Sequence, residues 1–122
     1  MSKRPSFEIK KWMPLYVGEH LSATGHMTNL QFAAYTRLKM HYWWSQKPLP
    51  DVDATLALIT KTTLKEWKSC RPAIAPLFQI IDEKWFDSEL ADEIEKAALL
   101  SKKRQELGVL GAKKRWGGAN NG

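Results

Sequence analysis

Residues 51–86 read DVDATLALITKTTLKEWKSCRPAIAPLFQIIDEKWF, and the order of elements in this stretch decides the fold. Residues 51–59 predict a helix with Leu56, Ile59 and Ala57 inward and Asp51 or Asp53 as its cap. A second helix is predicted over 63–78. It opens on Thr63 followed by Glu66, a capping box in which hydroxyl and carboxylate each satisfy an amide of the first turn. Leu64, Trp67, Ile74 and Phe78 then fall on one helical face. Pro72 is expected to kink or split this helix, because it lacks an N–H and its ring crowds the preceding turn. Residues 79–86 place Ile80, Trp85 and Phe86 around polar Asp82, Glu83 and Lys84. That suits a hairpin, although the turn lacks the usual Asn-Gly or Asp-Gly. Helix, short turn, helix and two-strand ribbon outline a winged helix-turn-helix. The fold class expected is therefore mainly α, with a small β-hairpin wing and a C-terminal helix.

The outer side of this helix pair carries Lys61, Lys65, Lys68 and Arg71 against one acid, Glu66. In a winged helix the second helix of the pair can lie in the major groove while the wing touches the backbone or minor groove. With Leu64, Trp67 and Ile74 inward, Thr63, Lys65, Lys68, Ser69 and Arg71 are expected on or near the open side. Thr62 and Thr63 are expected to offer hydroxyls and amides to a phosphate at the helix start, and Lys84 to add a wing contact. The bland alternative is the solvated face of an ordinary helix.

Upstream, Thr28 with Gln31 predicts the start of a long helix ending near Ser45, with Leu30, Ala34, Leu38, Tyr42 and Tyr35 as its core stripe. Trp12, Met13, Leu15, Tyr16 and Leu21 form a short apolar cluster in which Pro14 suits a first helical turn, and Gly25 ends it. Pro48 and Pro50 stop the long helix. Downstream, Asp87 or Ser88 opens a last helix with Leu90, Ala91, Ile94, Ala97 and Ala98 inward. Gly108 and Gly111 are expected to weaken that helix, and residues 117–122 to be disordered.

Charge is concentrated at the ends. Lys3, Arg4, Lys10 and Lys11 outweigh Glu8, and Lys102, Lys103, Arg104, Lys113, Lys114 and Arg115 outweigh Glu106, so residues 14–100 carry eleven acids against nine bases. Two basic arms around a slightly acidic body suit a polyanion. In the tail, three cations flank Trp116, which is able to stack on a base or enter a protein pocket. The expected layout is a basic arm at 1–11, a winged-helix domain at 12–105 and a flexible basic tail at 106–122.

Catalytic and metal signals are weak. His20, His26 and His41 lack ligand spacing, and His20 and His26 are expected at helix ends. Cys70 is the single cysteine, which rules out an internal disulfide. No phosphate-binding loop or nucleophile elbow is present. No run approaches the roughly 20 apolar residues of a membrane span, and no apolar stretch follows Lys3 and Arg4 as a signal peptide requires. The expectation is a soluble cytoplasmic protein without enzymatic activity, metal or cofactor.

The segments Trp12-Met13-Pro14-Leu15-Tyr16-Val17-Gly18, Thr24-Gly25-His26-Met27-Thr28 and Ala34-Tyr35-Thr36-Arg37-Leu38 resemble the YdaU-type proteins of phages and prophages, long catalogued as a domain of unknown function. Tyr42-Trp43, Pro48-Leu49-Pro50-Asp51, Glu66-Trp67, Arg71-Pro72, Leu77-Phe78, Trp85 and Ala112-Lys113-Lys114-Arg115-Trp116 extend the resemblance over nearly the whole chain. The chain departs from the pattern at Glu19-His20 and at Asp82-Glu83. The resemblance implies a winged-helix fold and a role near phage replication genes, in replication initiation or helicase loading. It supplies no established active-site residues. Together these readings point to a non-catalytic DNA-binding protein associated with replication. The alternative is a protein-interaction module, a replisome adaptor or an inhibitor of a host protein.

Overall fold

The computed structural model describes the backbone of residues 12–121 and the side chains of residues 12–108. Five helices are described: α1 (Val17–Thr24), α2 (Asn29–Ser45), α3 (Asp53–Thr60), α4 (Leu64–Ile74) and α5 (Ser88–Asn121). Three short strands, β1 (Leu49–Pro50), β2 (Gln79–Ile81) and β3 (Lys84–Phe86), form an antiparallel sheet in the order β1-β3-β2. The chain is mainly helical with a small sheet and a C-terminal helix, a winged-helix-like arrangement.

Both capping boxes form. Thr28 and Gln31 exchange side-chain and backbone hydrogen bonds at the start of α2, and Thr63 and Glu66 do the same at α4. Helix α2 is central and packs on α3, α4 and α5. Its buried side chains are Ala34, Tyr35, Leu38, Tyr42 and Trp43, whereas Leu30 is exposed. An aromatic run crosses the core from α1 to α4: His20, Tyr35, Phe78, Trp85 and Trp67 lie at successive ring separations of 5.7, 5.9, 5.3 and 5.8 Å. Burial pushes the Tyr35 hydroxyl up to about 12.

Several expectations are corrected. Proline 14 precedes α1 rather than opening it, and Trp12, Leu15, Tyr16 and Leu21 are exposed. His20 sits within α1, not at its end. It is buried between Phe32 and Tyr35, and desolvation, reinforced by Lys39, holds its pKa below the ordinary value. Strand β1 falls where the prolines mark only a helix stop. Leu49 pairs with Trp85 and Pro50 with Lys84, so the strand is created by its partner and not by local pattern.

Helix α3 starts later than expected, and Val52 occupies its cap position without a side-chain cap bond. Asp51 and Asp53 are therefore not caps; their carboxylates turn toward α4 and β3. Helix α4 runs through Pro72 without splitting. Its Leu64 is exposed, and a 3-10 turn (Ala75–Leu77) carries the chain from the helix to the wing. Pro72 is itself exposed, so its missing hydrogen bond falls on the solvated side.

The wing turn at Asp82 and Glu83 has φ of 51° and 60°. Both central residues are left-handed, as a two-residue hairpin of right-handed twist requires, and neither is glycine. Helix α5 is capped by Asp87, whose Oδ1 accepts the Leu90 amide at 3.1 Å. The helix continues past Gly108 and Gly111 to Asn121, where sequence predicts a flexible tail. Each glycine costs a helix only about 1 kcal/mol relative to alanine, which weakens it without ending it. The expected arm at 1–11 lies outside the described residues.

Candidate nucleic-acid interface

Helix α4 is held by its inner face. Trp67, Cys70 and Ile74 are at most 1% exposed and pack against α2 and α3. This fixes the opposite face outward, and Lys65, Lys68 and Ser69 are all exposed on it. Lys61 is exposed at the turn between α3 and α4. It adopts φ 60°, and its amide closes the end of α3 on the carbonyls of Ala57 and Leu58. Among the described residues, none of these three lysines is in an ion pair.

At the start of α4, Thr62 and Thr63 have partners within the protein. The Thr63 hydroxyl accepts the Glu66 amide at 3.1 Å, and the Thr63 amide donates to Glu66 Oε1 at 2.8 Å. The Thr62 amide donates to the Ala57 carbonyl, and its hydroxyl shares a hydrogen bond with Thr60 at 2.9 Å. The Thr62 and Thr63 groups expected to meet a phosphate are thus engaged with the protein's own carbonyl, hydroxyl and carboxylate groups.

Arg71 is half-buried and paired within the protein. Its Nη1 donates to Asp51 Oδ1 at 2.8 Å and to Asp53 Oδ1 at 2.7 Å, and its guanidinium lies 5.2 Å from the Trp85 ring centroid. Trp67 Nε1 donates to the same Asp53 oxygen, and Trp85 Nε1 to the same Asp51 oxygen, each at 2.9 Å. The Asp51 amide also donates to the Glu83 carbonyl in the wing turn. Hydrogen bonds from Arg71 and Trp85 hold Asp51 below the ordinary carboxylate range, and those from Trp67 and Arg71 do the same for Asp53. One guanidinium, two carboxylates and two indoles thereby clamp the start of α3, the middle of α4 and strand β3. Two carboxylates outweigh one guanidinium, so the cluster adds no positive charge to the α4 face. Its signal in sequence is the Trp67–Arg71 spacing of one helical turn, which puts indole and guanidinium on the same side.

Lys84 is exposed on β3, but the wing tip beside it consists of exposed Asp82 and Glu83. On α5, Lys102, Lys103 and Arg104 are exposed, and Arg104 also lines a cavity of about 270 Å³ with Trp12 and Trp43. The side chains of Lys113, Lys114, Arg115 and Trp116 lie outside the described residues. The exposed face at α4 among the described residues therefore carries Lys61, Lys65, Lys68 and Ser69, with the Arg71 cluster beside it. Among the described residues, no group of three or more His, Cys, Asp or Glu side chains is placed to hold a metal ion. No described helix is long and apolar enough to cross a membrane.

Fold and site define a mainly helical, winged-helix-like domain whose second pair helix presents lysines to solvent. The chain belongs to the family described as "Protein of unknown function (DUF1376)", whose model matches residues 11–95. It is similar to an uncharacterized protein, YdaU, of Escherichia coli strain K12, with 28% identity over 83 residues. That match covers 68% of this chain, which spans 28% of the length of the relative. No solved structure matches.

Proposed function

We propose that this domain is a non-catalytic, cytoplasmic DNA-binding protein of phage or prophage origin, serving DNA replication. The reading is carried by one observation: α4 buries Trp67, Cys70 and Ile74 while Lys65, Lys68 and Ser69 project outward, in the second helix of a winged-helix-like unit. Lys61 extends the same face, and the basic tail from Lys102 to Arg115 adds phosphate neutralisation that is not sequence-specific. Arg71 acts by positioning, since its charge is spent on Asp51 and Asp53. Lys84 contributes less than the α4 lysines because Asp82 and Glu83 stand next to it.

Binding of labelled duplex DNA, titrated at several salt concentrations, tests this reading. Each neutralised phosphate contributes about −0.9 to the log–log salt slope, so Lys65→Glu with Lys68→Glu should weaken binding and reduce the slope by roughly 2. Absence of binding at low salt, or binding indifferent to salt, would falsify it. A protein partner retained after nuclease treatment and unaffected by the lysine changes would favour an interaction module. The surface observation behind that alternative is the acidic, aromatic cavity of about 240 Å³ that includes Tyr16, Glu19, Glu89 and Glu93.

A further inference from the structure

Among the described residues, helix α5 packs its apolar side chains on the body along one stripe, and Glu93 beside it accepts a hydrogen bond from Tyr16. Leu90 and Ser101 are buried and Ile94 and Ala97 half-buried, at the three- and four-residue spacings of a single face. A second stripe beside it is composed of Glu89, Glu93, Lys96, Leu100, Lys103 and Leu107. Its spacings alternate four and three throughout, the repeat that keeps a seam facing a partner helix. Leu100 is 51% and Leu107 68% exposed on this stripe. Beyond Ser101, every residue of 102–108 is exposed, and Arg104 among them lines a cavity with Trp12 and Trp43.

The order of charges along the stripe selects its occupant. Reversed end to end, the stripe superimposes on itself: Glu93 meets Lys103, Lys96 meets Leu100, and Glu89 meets Leu107. An antiparallel copy thus brings each Glu93 to a Lys103 twice over, with the Lys96 stem covering Leu100. A parallel copy would set like charge against like at every charged position of the stripe. Self-complementarity under a two-fold axis is what an isologous dimer interface requires. A cavity of about 270 Å³ runs alongside, lined by Glu93, Lys96 and Leu100 from the stripe and by Trp12 and Trp43 from the body. It leaves apolar room next to the seam for the side chains of a second helix.

We propose that the occupant of this face is a second copy of the chain, with the two α5 helices antiparallel about a two-fold axis near Ala98. The inference stands apart from DNA binding and is tested without it. Sedimentation equilibrium of the full chain should show a reversible rise from 14.0 kDa toward twice that mass with concentration. Glu93→Lys and Lys103→Glu should each raise the dimer dissociation constant by about tenfold or more, and combining them should restore dimerisation, because the pair is then exchanged rather than broken. Leu100→Glu should weaken the dimer whatever the charges. Glu93 also accepts a hydrogen bond from the Tyr16 hydroxyl at 2.8 Å, so Tyr16→Phe serves as the control and should leave the dimer intact. Helix content at low concentration reports folding independently. A chain that stays at 14.0 kDa throughout, or charge reversals that weaken association without mutual rescue, would overturn the proposal.

Discussion

Arg71→Met tests the clamp most directly. The substitution keeps the length of the side chain and its contact with the Trp85 ring, but removes the only guanidinium between Asp51 and Asp53. The side chains of Arg71, Asp51 and Asp53 are 29, 21 and 34% exposed, so the cluster lies between two known limits. Exposed pairs contribute about 0–1 kcal/mol, whereas removing one partner of a buried pair costs about 3–5 kcal/mol. A loss of about 2 kcal/mol is the expected middle value, with roughly 0.5–1 kcal/mol more from the cation–ring contact. For a domain of this size that corresponds to a fall of about 10 °C in Tm.

The pH dependence carries the sign. Asp51 and Asp53 both have depressed pKa values in the fold, so their contribution is fully present above the unfolded value near ~3.9 and is lost as pH falls through the lower folded value. Wild type should therefore lose stability in that acid window. The variant has no guanidinium there to lose, and its deficit relative to wild type should shrink. Urea unfolding followed by tryptophan fluorescence is well suited, because Trp67 and Trp85 are fully buried members of the cluster. A deficit that is absent at neutral pH, or equally large at pH 3 and pH 7, refutes the account.

Two further changes probe the elements around the site. Thr63→Ala removes one half of the α4 capping box and should cost about 1 kcal/mol in thermal or chemical unfolding; no loss would mean that the cap does not support α4. Glu83→Gly relieves a left-handed non-glycine residue in the wing turn and should raise stability by up to about 1 kcal/mol; a drop in Tm would show that φ at this position is not strained.

Local chemistry made much of the architecture legible. Thr28 with Gln31 and Thr63 with Glu66 announce two helix starts, because a capping box needs only residues three apart. Leu56, Trp67, Ile74, Phe78 and Leu90 are buried as helical spacing and hairpin placement predict, whereas Leu64, Ala91 and Ala98, also expected inward, are exposed. Strand β1 was hidden, since two residues containing a proline carry no strand pattern until Trp85 and Lys84 lie opposite them. The site was half legible. Lys65, Lys68 and Ser69 follow from being off the apolar face of α4. The Thr62 and Thr63 amides look available in sequence because their acceptors, Ala57 and Glu66, become neighbours only when the turn closes.

Arg71 shows the division best. Sequence by itself determined that it would lie one turn from Trp67 on a capped helix, because backbone hydrogen bonding sets that spacing wherever the helix is placed. Only tertiary structure decided that Asp51 and Asp53 would meet it, since their approach depends on how α3 and β3 pack against α4. Charge is additive along a sequence but is cancelled in space, and that cancellation leaves the open face of α4 to Lys61, Lys65 and Lys68.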